Sequence, residues 1–218
     1  MTDDRRSATT PAWIWGGGLL LASAVLPLIT GSVGFVTAGG AGGAVFAWIG
    51  MLAFAASMVV FALGLGGRGS VVARRPAGMT ALIALAAITP IIWVLTAVFP
   101  YSDADPGAYA VWGYADAAVR FGAALVAVVA VGRARVVPPP WNWAPAWGLA
   151  AVVGTAVLAQ VSAVAIAGRP GDQETLLTLF AFSSLVAVVV PSLLGILAIV
   201  LGSRAEPRAT VPVYPPRA

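Results

Sequence analysis

Asp116 and Arg120 stand four residues apart inside the otherwise apolar run 109–132. On a helix that spacing puts both side chains on one face, so the carboxylate can neutralise the guanidinium without help from another segment. An ionisable group at membrane depth is costly unless it is paired or wetted, and by default it marks a candidate functional site. Two later runs carry polar residues at a comparable level: Gln160, and the neighbours Ser183 and Ser184. With Trp112 taken as the outer edge of the fourth run, and Gln160 and the serines counted from the nearer ends of theirs, Asp116 lies about 6 Å deep, Arg120 about 12 Å, Gln160 about 10 Å and the serines about 11 to 12 Å. Thr89 and Thr96 fall on either side of that level.

Two kinds of chemistry fit these residues. One is an outward-open polar pocket, in which Arg120 holds an anionic group or Asp116 takes up a proton, as in a small transporter or channel for an anionic or polar solute. A pore would call for further copies of the chain or a partner membrane subunit. The other is bracing between helices four, five and six, since one acid with one guanidinium is net neutral. Gln and Ser hydrogen bonds across membrane helices contribute about 0.6 kcal/mol each. That second reading makes the chain a structural or accessory membrane component.

Enzymatic chemistry is harder to build. Cysteine and histidine are absent and every basic residue is arginine. That removes thiolate and imidazole metal sites, haem ligation by histidine, disulfides, and both the Ser–His and Ser–Lys pairings used by intramembrane proteases. A non-enzymatic chain without cofactor or metal is the expectation.

The elements that must position these residues are set by composition. Hydrophobic residues make up 60% of the chain and charged ones 9%, against roughly a quarter charged in soluble domains, and the mean hydropathy is +0.95. The chain is read as an integral membrane protein whose first partner is the lipid bilayer. Its formal charge of +4 is spread between apolar runs rather than gathered on one surface, which argues for topology and against nucleic acid. Arginine without lysine, with abundant Ala, Gly, Val and Pro, suggests a GC-rich genome and a bacterial plasma membrane.

Six continuous apolar runs cover 13–30, 44–65, 79–99, 109–131, 147–167 and 176–201. Each approaches the roughly 20 helical residues that cross a hydrocarbon core of about 30 Å. Continuous rather than alternating hydrophobicity selects helices over barrel strands. The fold class is therefore all-α, a polytopic transmembrane bundle of six helices over 13–201, between a tail at 1–12 and a proline-rich, disordered tail at 202–218. Within that tail, 211–216 (VPVYPP) also suits a proline-recognising domain. The first run is read as a retained span; a cleaved signal peptide competes, but its apolar part runs only about 7 to 15 residues.

Arginines set the orientation. Arg5, Arg6, Arg68, Arg74, Arg75, Arg133, Arg135, Arg204, Arg208 and Arg217 all fall on one side of the six runs, and Arg169 alone on the other. By the positive-inside rule both termini are cytoplasmic. On the outer side, 31–43 reads as a glycine-rich turn, with a re-entrant segment as the alternative. Asp103, Asp105, Asp172 and Glu174 form an acidic rim; weak calcium binding would need six to eight converging oxygens.

On the inner side, 136–147 reads VVPPPWNWAPAW. Three successive prolines favour a stiff polyproline stretch, Trp141, Trp143 and Trp147 suit the headgroup level, and Pro145 is tolerated in a first helical turn. Trp13 and Trp15 complete the inner belt; Tyr101, Tyr109 and Trp112 form the outer one. Through the stretch Trp141-Asn142-Trp143-Ala144-Pro145 and the arginine-bearing inner loops, the chain resembles uncharacterised six-span integral membrane proteins of actinobacteria. The resemblance implies a membrane bundle and brings no catalytic residue with it.

Within the fourth run, Gly113, Asp116, Ala117, Arg120, Ala123, Ala124 and Ala127 form one stripe expected to face the bundle, with Val119, Leu125, Val126 and Val129 largely elsewhere. Pro27, Pro90 and Pro191 fall inside spans, where each frees a carbonyl and can kink its helix. Because the chain has no cysteine, topology is directly testable with single introduced thiols. Ala104→Cys should react with a membrane-impermeant maleimide in intact cells, and Ala218→Cys only after lysis; labelling of Ala218→Cys in intact cells would reverse the orientation.

Overall fold

The computed structural model describes residues 9–36, 41–66, 69–98, 106–166 and 173–204. The tail before Thr9, the tail after Arg204, Arg68, Tyr101, Asp103, Asp105, Arg169 and Asp172 lie outside them, as do the side chains of Thr96 and Tyr109. The described residues form six long helices: α1 (Thr9–Val36), α2 (Ala41–Leu63), α3 (Pro76–Val98), α4 (Pro106–Ala134), α5 (Ala144–Ile166) and α6 (Gln173–Ser203), with a 3-10 turn at Trp141–Trp143 ahead of α5. All six are long and apolar enough to cross a membrane.

Proline and glycine mark several helix ends. Pro11, Pro76, Pro106 and Pro145 each sit in a first turn, where a missing N–H costs nothing and the fixed φ suits the helix. Gly64, with φ +73°, ends α2 and returns its N–H to the Val60 carbonyl at 2.8 Å, the left-handed cap glycine adopts readily. Every helix starts three or four residues ahead of its apolar run, and α1, α4 and α6 also end beyond theirs, because backbone hydrogen bonding continues after hydrophobicity ends. The segment 31–43 is one such case. α1 continues to Val36 and α2 starts at Ala41, so a re-entrant helix has no chain left to form it.

Each helix packs against its sequence neighbours, and α1 also packs against α6, which closes a ring. The α1–α2 and α1–α6 interfaces are the most extensive and α4–α5 is by far the slightest. Glycine explains the first two. A Cβ on Gly17 would lie 2.5 Å from the Gly195 carbonyl oxygen of α6, and one on Gly195 would lie 2.7 Å from the Gly17 carbonyl oxygen. The two backbones therefore touch, as small residues permit in membrane helices. One residue earlier, Gly16 receives the Phe61 ring of α2, and its carbonyl accepts a 2.8 Å bond from the buried Ser57 hydroxyl.

The packed core sits at the arginine-bearing end. Ala62, Ala81, Leu82, Ala127 and Val131 surround Val72, which lies in the α2–α3 connection and is fully buried. This connection folds inward. Ser70 donates to the Ala62 carbonyl at 2.6 Å, Val71 N–H to the Phe61 carbonyl at 3.0 Å, and the Trp13 indole N–H to the Gly69 carbonyl at 3.0 Å. Trp13 is thus only 7% exposed and acts as a tie between α1 and the connection, not as a belt residue; Trp15, 64% exposed, remains on the belt. Pro139–Pro140 also departs from a stiff rod, since Trp141 N–H bonds back to the Pro138 carbonyl at 3.0 Å and closes a turn. Trp143 then lies over Gly132.

The close approach makes a differential prediction. Gly17→Ala should lower stability in detergent by about 1–3 kcal/mol through overpacking, whereas Gly18→Ala, with nothing within 4 Å, should be neutral or slightly stabilising through helix propensity. Thermal unfolding of both variants followed by circular dichroism checks it; equal effects would remove the α1–α6 contact from the account.

Candidate functional site

The charged residues of α4 are placed by helical spacing. Arg120 Nε donates to Asp116 Oδ1 at 2.7 Å, and Arg120 Nη1 donates to Thr89 Oγ1 of α3 at 2.6 Å. Side chains on a helix lean toward its N-terminus, which carries the Arg120 guanidinium back one turn to Asp116. The bond to Thr89 crosses to α3, a helix that packs along α4. Arg120 and Asp116 keep 35% and 30% of their side-chain surface open.

The other residues of the polar layer do not converge on this pair. Gln160 and Ser184 are exposed and Ser183 is half-buried. Among the described residues no side-chain hydrogen bond joins any of them to Arg120 or Asp116. The ring order supplies the reason: among the described residues α4 meets α5 only slightly and does not meet α6, so residues at equal depth are separated around the ring. The stripe on α4 divides along its length. Ala127 is buried and Ala123 and Ala124 half-buried, while Gly113 and Ala117 are exposed. Val119, Leu125 and Val126 face outward as expected, Val129 only partly. Toward its N-terminal end α4 leaves Val111, Trp112 and Tyr114 all exposed.

A second feature lies one turn closer to the arginine-bearing end. All six helices and the two connections at that end line an open-sided cavity of about 390 Å³ whose walls are almost wholly apolar. Leu20, Met58, Leu85, Ala127, Val152 and Leu194 represent the six helices in its wall, and Pro191 of α6 also faces it. On α4 the lining begins at Ala124, so Arg120 lies outside. Its volume falls in the range of small-molecule sites, roughly 300–1,000 Å³.

The sequence reading missed Ser57, Ser70, the Trp13 indole tie and the buried Val72. Gly16 and Gly17 were a usable signal for close helix approach, and two valines in an otherwise polar connection were a signal for an inward fold. Glu174, the member of the acidic rim among the described residues, lies in the first turn of α6, where a carboxylate favours the helix dipole.

Comparison with protein-family models, curated proteins and solved structures finds no match to this chain.

The geometry sets an order of effects. Asp116→Ala leaves Arg120 with Thr89 as its one side-chain partner and should cost about 2 kcal/mol, because an uncompensated charge at depth is worse than a missing pair. Replacing both, Asp116→Asn with Arg120→Gln, should cost only about 1 kcal/mol. Unfolding midpoints in one detergent compare them; a double variant no more stable than Asp116→Ala would show that charge compensation is not what Asp116 supplies.

Proposed function

We propose that this chain is a non-enzymatic component of a bacterial plasma membrane, structural or accessory in role, with both termini on the cytoplasmic side. The observation that carries this reading is the use made of the charge within the spans. Arg120 is neutralised by Asp116 on its own helix and donates to Thr89 on α3, so its guanidinium braces α3 against α4. Further support comes from the absence of His, Cys and Lys in the sequence, which leaves few nucleophiles or general bases. A second copy of the chain or another membrane subunit fits such a role.

A minimal transporter or channel is the second reading, and one observation favours it. About a third of the Arg120 and Asp116 side-chain surface is open, at a level where α4 has few neighbours. A small anion reaching Arg120 from outside would find a guanidinium with donors to spare.

Reconstitution separates the two. Vesicles containing the intact protein should show no chloride, phosphate or acetate flux above empty vesicles, and native mass spectrometry from mild detergent should show a stoichiometric second copy or partner subunit. Saturable flux of any of these anions that vanishes in the folded Asp116→Asn/Arg120→Gln variant would replace the first reading by the second.

A further inference from the structure

We propose that the apolar cavity is a binding site for an acyl chain of an anionic phospholipid, entered sideways from the bilayer between α4 and α5, with the lipid phosphate held by Arg133 and Arg135. Three observations converge on it.

The first is the character of the walls. A water held in a cavity needs two to four polar partners, and these walls offer almost none. A polar solute would lose its hydration there without replacement. A hydrocarbon chain has no hydration to lose on entry from the bilayer and exchanges packing against lipid tails for packing against Ala127, Leu149, Val152 and Leu194.

The second is the ring seam. α4 and α5 are the most weakly joined neighbours, yet both line the cavity, through Ala124, Ala127 and Val131 on one side and Gly148, Leu149 and Val152 on the other. The remaining interfaces are closed more fully, most of all around α1. The seam is therefore the path of least repacking for a chain arriving from the lipid side.

The third is charge at the rim. Val131 and Val137 both line the cavity, and Arg133 and Arg135 lie between them in sequence, at the end of α4 and the start of its connection. Both are exposed. Among the described residues neither pairs with a carboxylate; the one ion pair there is Asp116–Arg120. Arg204 follows Leu201, a lining residue at the same end of α6. Guanidinium groups are suited to bidentate phosphate recognition, and basic clefts between helices on the cytoplasmic side are where anionic headgroups bind. Trp141, which also lines the cavity, stands at the matching interfacial level. This site is separate from Arg120 and stands whichever reading of that residue holds.

Photo-crosslinking tests the proposal. The protein is reconstituted in phosphatidylcholine nanodiscs doped with phosphatidylglycerol carrying a mid-chain diazirine, irradiated, digested and mapped by mass spectrometry. Adducts should concentrate on the cavity-lining segments of α4 and α5, and unlabelled phosphatidylglycerol should compete better than phosphatidylcholine. Arg133→Gln with Arg135→Gln should reduce that preference by about fivefold per arginine removed. Val152→Trp, which narrows the cavity beside the α4–α5 seam, should reduce these adducts while sparing those on the outer surface. The arginine variant alters only exposed side chains and decides the matter even where the tryptophan variant fails to fold. Adducts spread evenly over the outside of the bundle, equal competition by both lipids, or displacement by free glycerol phosphate would each overturn the proposal.

Discussion

The backbone contact between Gly17 and Gly195 is the constraint on which this structure depends. Six helices joined in sequence make an open row unless the first meets the last. Lipid tails are as apolar as leucine, so no hydrophobic force drives that meeting; close packing and backbone polar contacts must supply it. Two glycines facing each other bring the α1 and α6 backbones within van der Waals reach, where weak Cα–H···O contacts also contribute. Gly16 does the same toward α2 by admitting Phe61 and accepting the Ser57 hydroxyl. α1 is thereby clamped on two sides, and what slack the ring has is displaced to its far side, at α4–α5.

From that asymmetry the two candidate sites follow. At the arginine-bearing end the α2–α3 connection folds inward, Val72 packs among α2, α3 and α4, and all six helices line the apolar cavity. Toward the other end α4 stands apart, and the charge pair is stabilised within one helix and by one neighbour. The same chain thus separates an apolar chamber from a charged brace by a single helical turn, from Arg120 to Ala124. Chemistry suited to hydrocarbon and chemistry suited to charge lie next to each other without mixing.

Much of this was legible in the sequence, and the reason differs by feature. Each apolar run became a helix because backbone groups exposed to lipid must bond within their own segment. The i, i+4 pairing of Asp116 and Arg120 was likewise local. Depth could be counted from the ends of runs, but position around the ring could not. Gln160, Ser183 and Ser184 share a level with Arg120, yet Thr89 is its partner because α3, not α5 or α6, lies alongside. Trp13 misled for a related reason: an indole near a span end fits a lipid interface, and only the folded connection, with Gly69 offering its carbonyl, reveals the inward alternative. Helix starts fell ahead of the apolar runs because hydropathy reports the solvent and not the hydrogen bond.

The closing of the ring also orders events in time. The α2–α3 hairpin is made from contacts near in sequence and can pair once α3 is in the membrane, and α4 then covers its inward connection with Ala127 and Val131. The α1–α6 contact joins residues nearly the whole chain apart, and contacts of that range form last. Until α6 is inserted, the glycine face of α1 meets only lipid. During synthesis the nascent protein is therefore a row of helices with its first member half-docked, and its final helix converts that row into a chamber.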